Sequence, residues 1–227
     1  MLAGALFVAG CEHAPAPVLA EPLSARWTEG WKSFALPGKT PTSYSAGIAD
    51  GRWAIHAKSE RSASMYRRKL HIETGQLDKV RFSWKVASMS PGADVRQSET
   101  GDAVVRVMLA FDGDASRLSP RTRMMFDLMQ SLSGEAPPFA TLMYVWDSQA
   151  EVGSVVLNQR SDRIRKIVLE SGPAHLGQWR SYERDLRADY RRAFGEEPGA
   201  LIGLAVMTDS DNTQSRAEAW YGEIRFQ

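Results

Sequence analysis

Thr208, Asp209, Asp211, Asn212 and Thr213 crowd into one short stretch near the end of the chain. Carboxylate and amide oxygens at this spacing suit a hard cation such as calcium. The run Asp209-Ser210-Asp211-Asn212-Thr213 opens like an EF-hand loop, but Gln214 stands where that loop needs glycine. Trp220 stands where it needs a bidentate glutamate. Three readings stay open: a looser calcium site built on Asp209 and Asp211 with backbone carbonyls, a hairpin turn bonding its own backbone, and the rim of a ligand site. Asp102, Glu170, Asp209 and Glu223 supply the carboxylates a glycoside hydrolase or lyase would pair. Such a pair must stand about 5–5.5 Å apart for retention or 6.5–9.5 Å for inversion.

Other chemistries lack their residues. The chain contains no G-x-S-x-G, H-E-x-x-H, C-x-x-C or P-loop pattern. His13, His56, His71 and His175 are scattered without ligand spacing. The net charge of +1 lacks the basic excess that phosphate neutralisation demands, which argues against a nucleic-acid partner.

The single cysteine, Cys11, excludes an intramolecular disulfide. It follows "MLAGALFVAG", an apolar run too short to span a bilayer, and Val8-Ala9-Gly10-Cys11 resembles a bacterial lipobox. Residues 1–10 are therefore expected to be a lipoprotein-type signal peptide, with Cys11 as lipid anchor. Residues 11–26 form a Pro/Ala tether, and 27–227 a single domain. Glu12 after the cysteine favours outer-membrane sorting, with the domain facing the periplasm of the cell envelope.

Most of the remainder alternates apolar and polar residues with period two, the pattern of half-buried strands. "VRFSWKV" sets Val80, Phe82, Trp84 and Val86 against Arg81, Ser83 and Lys85, and similar runs cover 103–111 and 141–147. Further strands are expected at 52–57, 65–73, 152–158, 164–170, 178–185, 200–207 and 218–226. Two segments read as helices, about 118–133, with Ser119 as cap and Gly134 as stop, and 186–194, ending at Gly195 before Pro198. In the first, Met125, Leu128, Met129 and Leu132 form a stripe read as core contact; in the second, Arg187, Arg191 and Arg192 lie on a solvated face beside Asp189. The absence of a βαβ rhythm points to a jelly-roll-like antiparallel β-sandwich with two short helical insertions.

Strand parity turns Lys85 and Arg106 outward and Trp84, Trp220 and Phe226 inward. For "TLMYVWD" it leaves Tyr144 and Trp146 undecided. Turned outward, they join Arg106 on one sheet face with Lys85, Glu170 and Asp209 as neighbours. Aromatic faces and convergent charges of this kind suit a sugar. The bland alternative is an Arg106–Glu170 ion pair on a solvated face, worth about 0–1 kcal/mol.

"LMYVWD", "SGPAHLGQWRSYERDLRADYRRAFGEEP" and "AVMTDSDNTQSRAEAWYGEIRF", in that order, resemble the bacterial family known as Domain of Unknown Function 3047, over about residues 25–227. That likeness implies fold and bacterial origin and brings no activity. The ending Tyr221-Gly222-Glu223-Ile224-Arg225-Phe226 is similar to the last strand of jelly-roll carbohydrate-binding modules. That second likeness implies a calcium role for Glu223 beside Asp209 and Asp211. The expected function is non-enzymatic binding of a glycan or envelope polysaccharide through Lys85, Arg106, Tyr144, Trp146, Glu170 and Asp209. No cofactor is expected, calcium excepted. Alternatives are a carboxylate-dependent glycoside hydrolase or lyase, and an envelope assembly lipoprotein.

Overall fold

A computed structural model describes residues 26–227. The expected signal peptide, the lipid anchor Cys11 and nearly all of the tether lie outside these residues. Two sheets stack face to face. The first orders its strands β1 (Lys32–Ala35), β4 (Ser64–Ile72), β11 (Leu201–Met207), β6 (Arg106–Phe111), β7 (Ala140–Asp147), β9 (Ser161–Ser171) and β8 (Val155–Asn158). The second orders β10 (Arg180–Asp185), β5 (Lys79–Val86), β12 (Arg216–Tyr221), β3 (Arg52–Glu60) and β2 (Ser43–Ala49), and β13 (Arg225–Phe226) also pairs with β5. The described residues form a mostly β, jelly-roll-like sandwich with two α-helices.

Period-two alternation puts Val80, Phe82, Trp84 and Val86 of β5 on the inner face, where each is buried. Opposite them the first sheet contributes Val107, Leu109 and Phe111 from β6, and Leu142, Tyr144 and Trp146 from β7. Phe82 stacks on Tyr144 with ring centroids 5.4 Å apart, so the two sheets meet through these side chains. Burying each large side chain contributes about 1.5–3 kcal/mol. On β7 the polar atoms carried inward are satisfied: Tyr144 donates to Asp189 at 2.7 Å and Trp146 Nε1 to the Gly172 carbonyl at 2.9 Å. Tyr144 and Trp146 thus face the core, not a binding surface.

Their parity was undecided in the sequence because both faces of β7 are covered. All eight of its residues are buried. On the outer side a second apolar cluster joins Met143, Val145 and Val168 to Val95 and Ala103 from the long β5–β6 connection. The sheets also depart from pure antiparallel pairing, since β7 and β9 run parallel. The chain leaves β7, descends along the edge as β8 and returns as β9 in the place between them, so two reversals align β9 with β7. β1 and β2 were not expected; as edge strands with mostly exposed side chains, they carry no clear alternation.

α1 (Pro120–Ser133) starts at Ser119, whose Oγ accepts from Thr122 N at 3.2 Å. It ends at Gly134, whose φ of 76° suits the left-handed cap. Its first turn is bonded to β9 through Thr122–Asp162, and Glu135, just past its cap, pairs with Arg67 of β4. Met125, Phe126 and Met129 are partly buried, whereas Leu128 and Leu132 are 57% and 60% exposed. Only half of the expected core stripe is therefore in contact. α2 (Leu186–Phe194) is capped by Asp185, which accepts from Ala188 N, and ends at Gly195. Asp189 departs from the solvated face expected for it: it is buried and bonded by Tyr144 and Arg184. Trp220 faces outward because Ala217, Ala219 and Tyr221 take the inner parity of β12.

Candidate functional site

On the outer face of the first sheet, pairing sets Met207 of β11 beside Arg106 of β6, and Met143 of β7 beside Lys166 of β9. These four side chains floor a pocket of about 180 Å³. Its walls are the 95–101 segment, the β8–β9 turn with Arg160, and the Asp209–Asn212 turn, with Lys39 opposite. Arg106 is 8% exposed and Asp209 3%. Arg106 Nη2 lies 2.8 Å from Asp209 Oδ2 and donates to the Gly101 carbonyl, while Nη1 contacts Met207 sulfur. Arg106 Nε is buried with no hydrogen-bond partner. Lys166, 6% exposed, gives one bond from Nζ to the Val95 carbonyl at 2.6 Å.

The pocket's shape depends on these same contacts. Asp147 accepts from Val95 N, Lys166 donates to Val95 O, and Asp209 accepts from Ala103 N at 2.8 Å. Three charged side chains, Asp147 at the end of β7, Lys166 within β9 and Asp209 just past β11, thereby clamp the 95–103 loop above the sheet. Burial pushes the Asp209 carboxyl up to about 6; the Arg106 guanidinium works against that rise, and Asp102 adds to it. Burial drives the Lys166 ammonium down to about 8, with Arg106's charge adding to the fall and Asp209 opposing it. Strongly shifted groups side by side in a concavity mark a candidate functional site.

The terminal polar knot resolves as a braced turn. Asp102, fully buried, accepts from Asn212 N, Thr213 N and Thr213 Oγ1. Asp211 pairs with Lys39. Carboxylate oxygens of Asp102, Asp209 and Asp211 lie within 4.8 Å of one another, but each of these acids already has donors. A cation here would displace Lys39 from Asp211 and Arg106 from Asp209. Glu223 is not part of this group: it pairs with Arg225 and lines a different cleft. The expected calcium set Asp209–Asp211–Glu223 is therefore not assembled, because the chain after β12 carries Glu223 away along β5. Nor do the four candidate carboxylates meet in one cleft. Asp209 lines the pocket, Asp102 sits outside its lining, Glu170 lies between the sheets, and Glu223 stands elsewhere.

Glu170 does not pair with Arg106. A register shift after Val145 sets Glu170 opposite Trp146, on the inner side. There Arg180, Tyr182 and His175 bond it at 2.8, 2.6 and 2.9 Å. Burial alone would raise its carboxyl; those hydrogen bonds outweigh burial and hold it below the ordinary range. Lys85 belongs to the outer face of the second sheet, remote in the fold from Arg106. It bonds Asp50 at 2.6 Å and sits 4.4 Å over the Trp220 ring, whose other neighbour is His56, stacked at 4.8 Å. Trp179 joins this ladder by donating to Asp50, with Arg52 4.8 Å over its ring. The ring faces are thus occupied by cross-strand neighbours, which limits stacking by a ligand.

A cleft of about 670 Å³ opens beside this ladder, between Arg52, Trp53, Ser83, Glu183 and Glu223. Four of its charges are mutually paired, Arg81 with Glu183 and Arg225 with Glu223, and Arg52 lies over the Trp179 ring. Its wall includes Trp27, next to the segment outside the described residues. The smaller pocket on the first sheet has the unspent hydrogen-bonding capacity. Sequence reading found Arg106 and Asp209 and missed Lys166, Arg160 and Lys39. Lys166 was concealed because it occupies an outward position that an ordinary solvated lysine fills just as well.

The fold places the chain among β-sandwich proteins of jelly-roll type. The chain belongs to the family described as "Protein of unknown function (DUF3047)", which matches residues 29–225. No curated protein matches it. Solved structures of similar fold include the adhesin domain of Lys-gingipain from Porphyromonas gingivalis, at 11% identity and TM-score 0.38, covering 88% of this chain and 90% of that one. A carbohydrate-binding module, TmCBM61, solved with β-1,4-galactotriose, shares 8% identity at TM-score 0.37, covering 88% and 89%. A cellulase derived from that of Rhodothermus marinus shares 10% at TM-score 0.43, covering 87% and 95%.

Proposed function

We propose that the protein is a non-enzymatic glycan-binding module of the bacterial envelope, taking its ligand in the pocket on the outer face of the first sheet. The reading rests on one observation: Arg106 and Lys166, both more than nine-tenths buried, open into a concavity with donor capacity their own fold does not use. Gln97, Ser98, Asn158, Gln159 and Asn212 ring the same pocket and match the hydroxyls of a sugar. Met143 and Met207 offer adaptable apolar contact to a ring face. At about 180 Å³ the pocket is smaller than the roughly 300–1,000 Å³ that encloses a drug-sized ligand. It therefore takes one sugar ring or chain end, not a polymer laid along a groove. Asp102 and Asp209 come within 4.8 Å of each other, but Asp102 is fully buried, bonded by Asn212 and Thr213 and outside the pocket lining, and Glu170 and Glu223 lie elsewhere, which favours binding over hydrolysis.

Cys11, after Val8-Ala9-Gly10, is the lipid attachment point in this reading, and the 11–26 tether holds the domain at the outer membrane facing the periplasm. Labelled palmitate should enter the wild-type protein in a bacterial host and not Cys11→Ser; label in both refutes the anchor. The binding reading is tested by thermal shift of the full chain against a panel of envelope and plant oligosaccharides. A ligand at 100 times its Kd adds about 2.7 kcal/mol to stability. No stabilisation across the panel would remove the proposal.

A further inference from the structure

The balance of charge in the pocket says more about the ligand than its size does. Five cationic side chains line it, Lys39, Arg96, Arg106, Arg160 and Lys166, against two carboxylates, Asp209 and Asp211. Three of the five are paired: Lys39 with Asp211, Arg106 with Asp209, and Arg96 with Asp94. Two remain. The Arg160 guanidinium is exposed and, among the described residues, forms no side-chain hydrogen bond or ion pair. Lys166 has a single partner, the neutral Val95 carbonyl, for an ammonium that carries three donors. Arg106 adds a buried Nε with no acceptor.

A buried cation without a counter-ion is costly unless something neutralises it. Lys166 is held in that state by the loop it clamps: burial and the charge of Arg106 disfavour its ammonium, and the carboxylates of Asp209, Asp147 and Asp94 offset part of that cost without bonding it. A neutral sugar would leave the remainder of that cost, and the free donors of Lys166 and Arg160, without a charged partner. A carboxylate, sulfate or phosphate would answer it with charge-assisted hydrogen bonds, which are shorter and stronger than neutral ones.

We infer that the ligand is an acidic glycan, whose anionic substituent docks against Lys166 and Arg160 while its hydroxyls meet the surrounding amides. This rests on the glycan-binding reading and adds the ligand's class to it. The substituent enters from the solvent side, past Arg160 at the turn between β8 and β9, and ends over the Lys166 ammonium on β9. Binding then favours protonated Lys166, so affinity falls as pH rises through about 8.

Isothermal titration of the full chain at pH 7 separates the outcomes. The arms are an oligogalacturonate, a sulfated oligosaccharide, a neutral galacto-oligosaccharide of matched length, and the sugar-free anions citrate and inorganic phosphate. An acidic oligosaccharide should bind at least about tenfold more tightly than the neutral one, the scale of one charge-assisted hydrogen bond. Arg160→Gln, on an exposed side chain with no structural bond, should weaken binding about tenfold. Lys166→Met should do the same and remove the loss of affinity between pH 7 and 9.5. Trp220→Ala, on the opposite sheet, should change nothing. Equal binding of neutral and acidic sugars, or an unaffected Arg160→Gln, overturns the acidic ligand and leaves glycan binding standing. Citrate or phosphate binding as tightly as any sugar retains the anion site and overturns the glycan. Binding by none of the arms overturns both.

Discussion

Arg106 and Asp209 form the one ion pair in the pocket in which both partners are almost fully buried. Removing one member of such a pair strands the other, at a cost of about 3–5 kcal/mol. Arg106→Met should therefore lower stability by that amount in denaturant unfolding, and Arg106→Met with Asp209→Asn should recover much of it. Lys166 carries the pH dependence. Its ammonium titrates near 8 in the folded chain against 10.5 when unfolded. Below about pH 8 both states hold the proton and the penalty of burying charge is fully present. Between 8 and 10.5 the unfolded chain binds more protons, so stability rises with pH. The difference in unfolding free energy between wild type and Lys166→Met should move in the wild type's favour over that window. An unchanged difference would show that Lys166 is not buried as a cation. At this scale the sequence exposed Arg106 and Asp209, whose types are unusual beside apolar runs. It did not expose Lys166, because nothing in one sequence tells a buried outward-facing lysine from a solvated one.

Elements set where those residues point. β5 was legible because one of its faces is buried and the other wet, so its alternation is clean. β7 was not, because the loop packed on its outer side buries both faces, and parity carries no contrast. α2 matched its expected bounds, since a capping aspartate and a left-handed glycine frame it. α1 likewise obeys its caps, yet its apolar stripe is only half covered, and cap residues do not report that. Ser119→Ala should cost about 1 kcal/mol, read by thermal unfolding, through loss of the bond to Thr122 N. The β11 entry is tighter. A Cβ at Gly199 would lie 2.2 Å from the Asp112 carbonyl oxygen, beside the bond from Asp112 N to the Ala200 carbonyl. Gly199→Ala should therefore cost about 1–3 kcal/mol or more.

At the scale of the molecule, the sandwich gives two outer faces with opposite characters. The second sheet presents a self-stacked ladder of His56, Trp220, Lys85 and Trp179, whose rings and charges satisfy one another. The first sheet presents a covered pocket with surplus cationic donors. Composition and periodicity predicted the two-sheet architecture, since it follows from alternation over about ten short runs. They did not predict which face is decorated, because that depends on the long 87–105 connection folding back over β7 and β9, a contact between segments far apart in sequence. The most direct test is hydrogen–deuterium exchange of the full chain with and without a saturating acidic oligosaccharide. Protection confined to 95–101, 157–160 and 209–212 is the result expected. Protection at 50–53, 179 and 220 instead, with the first sheet unchanged, would contradict the assignment of the pocket.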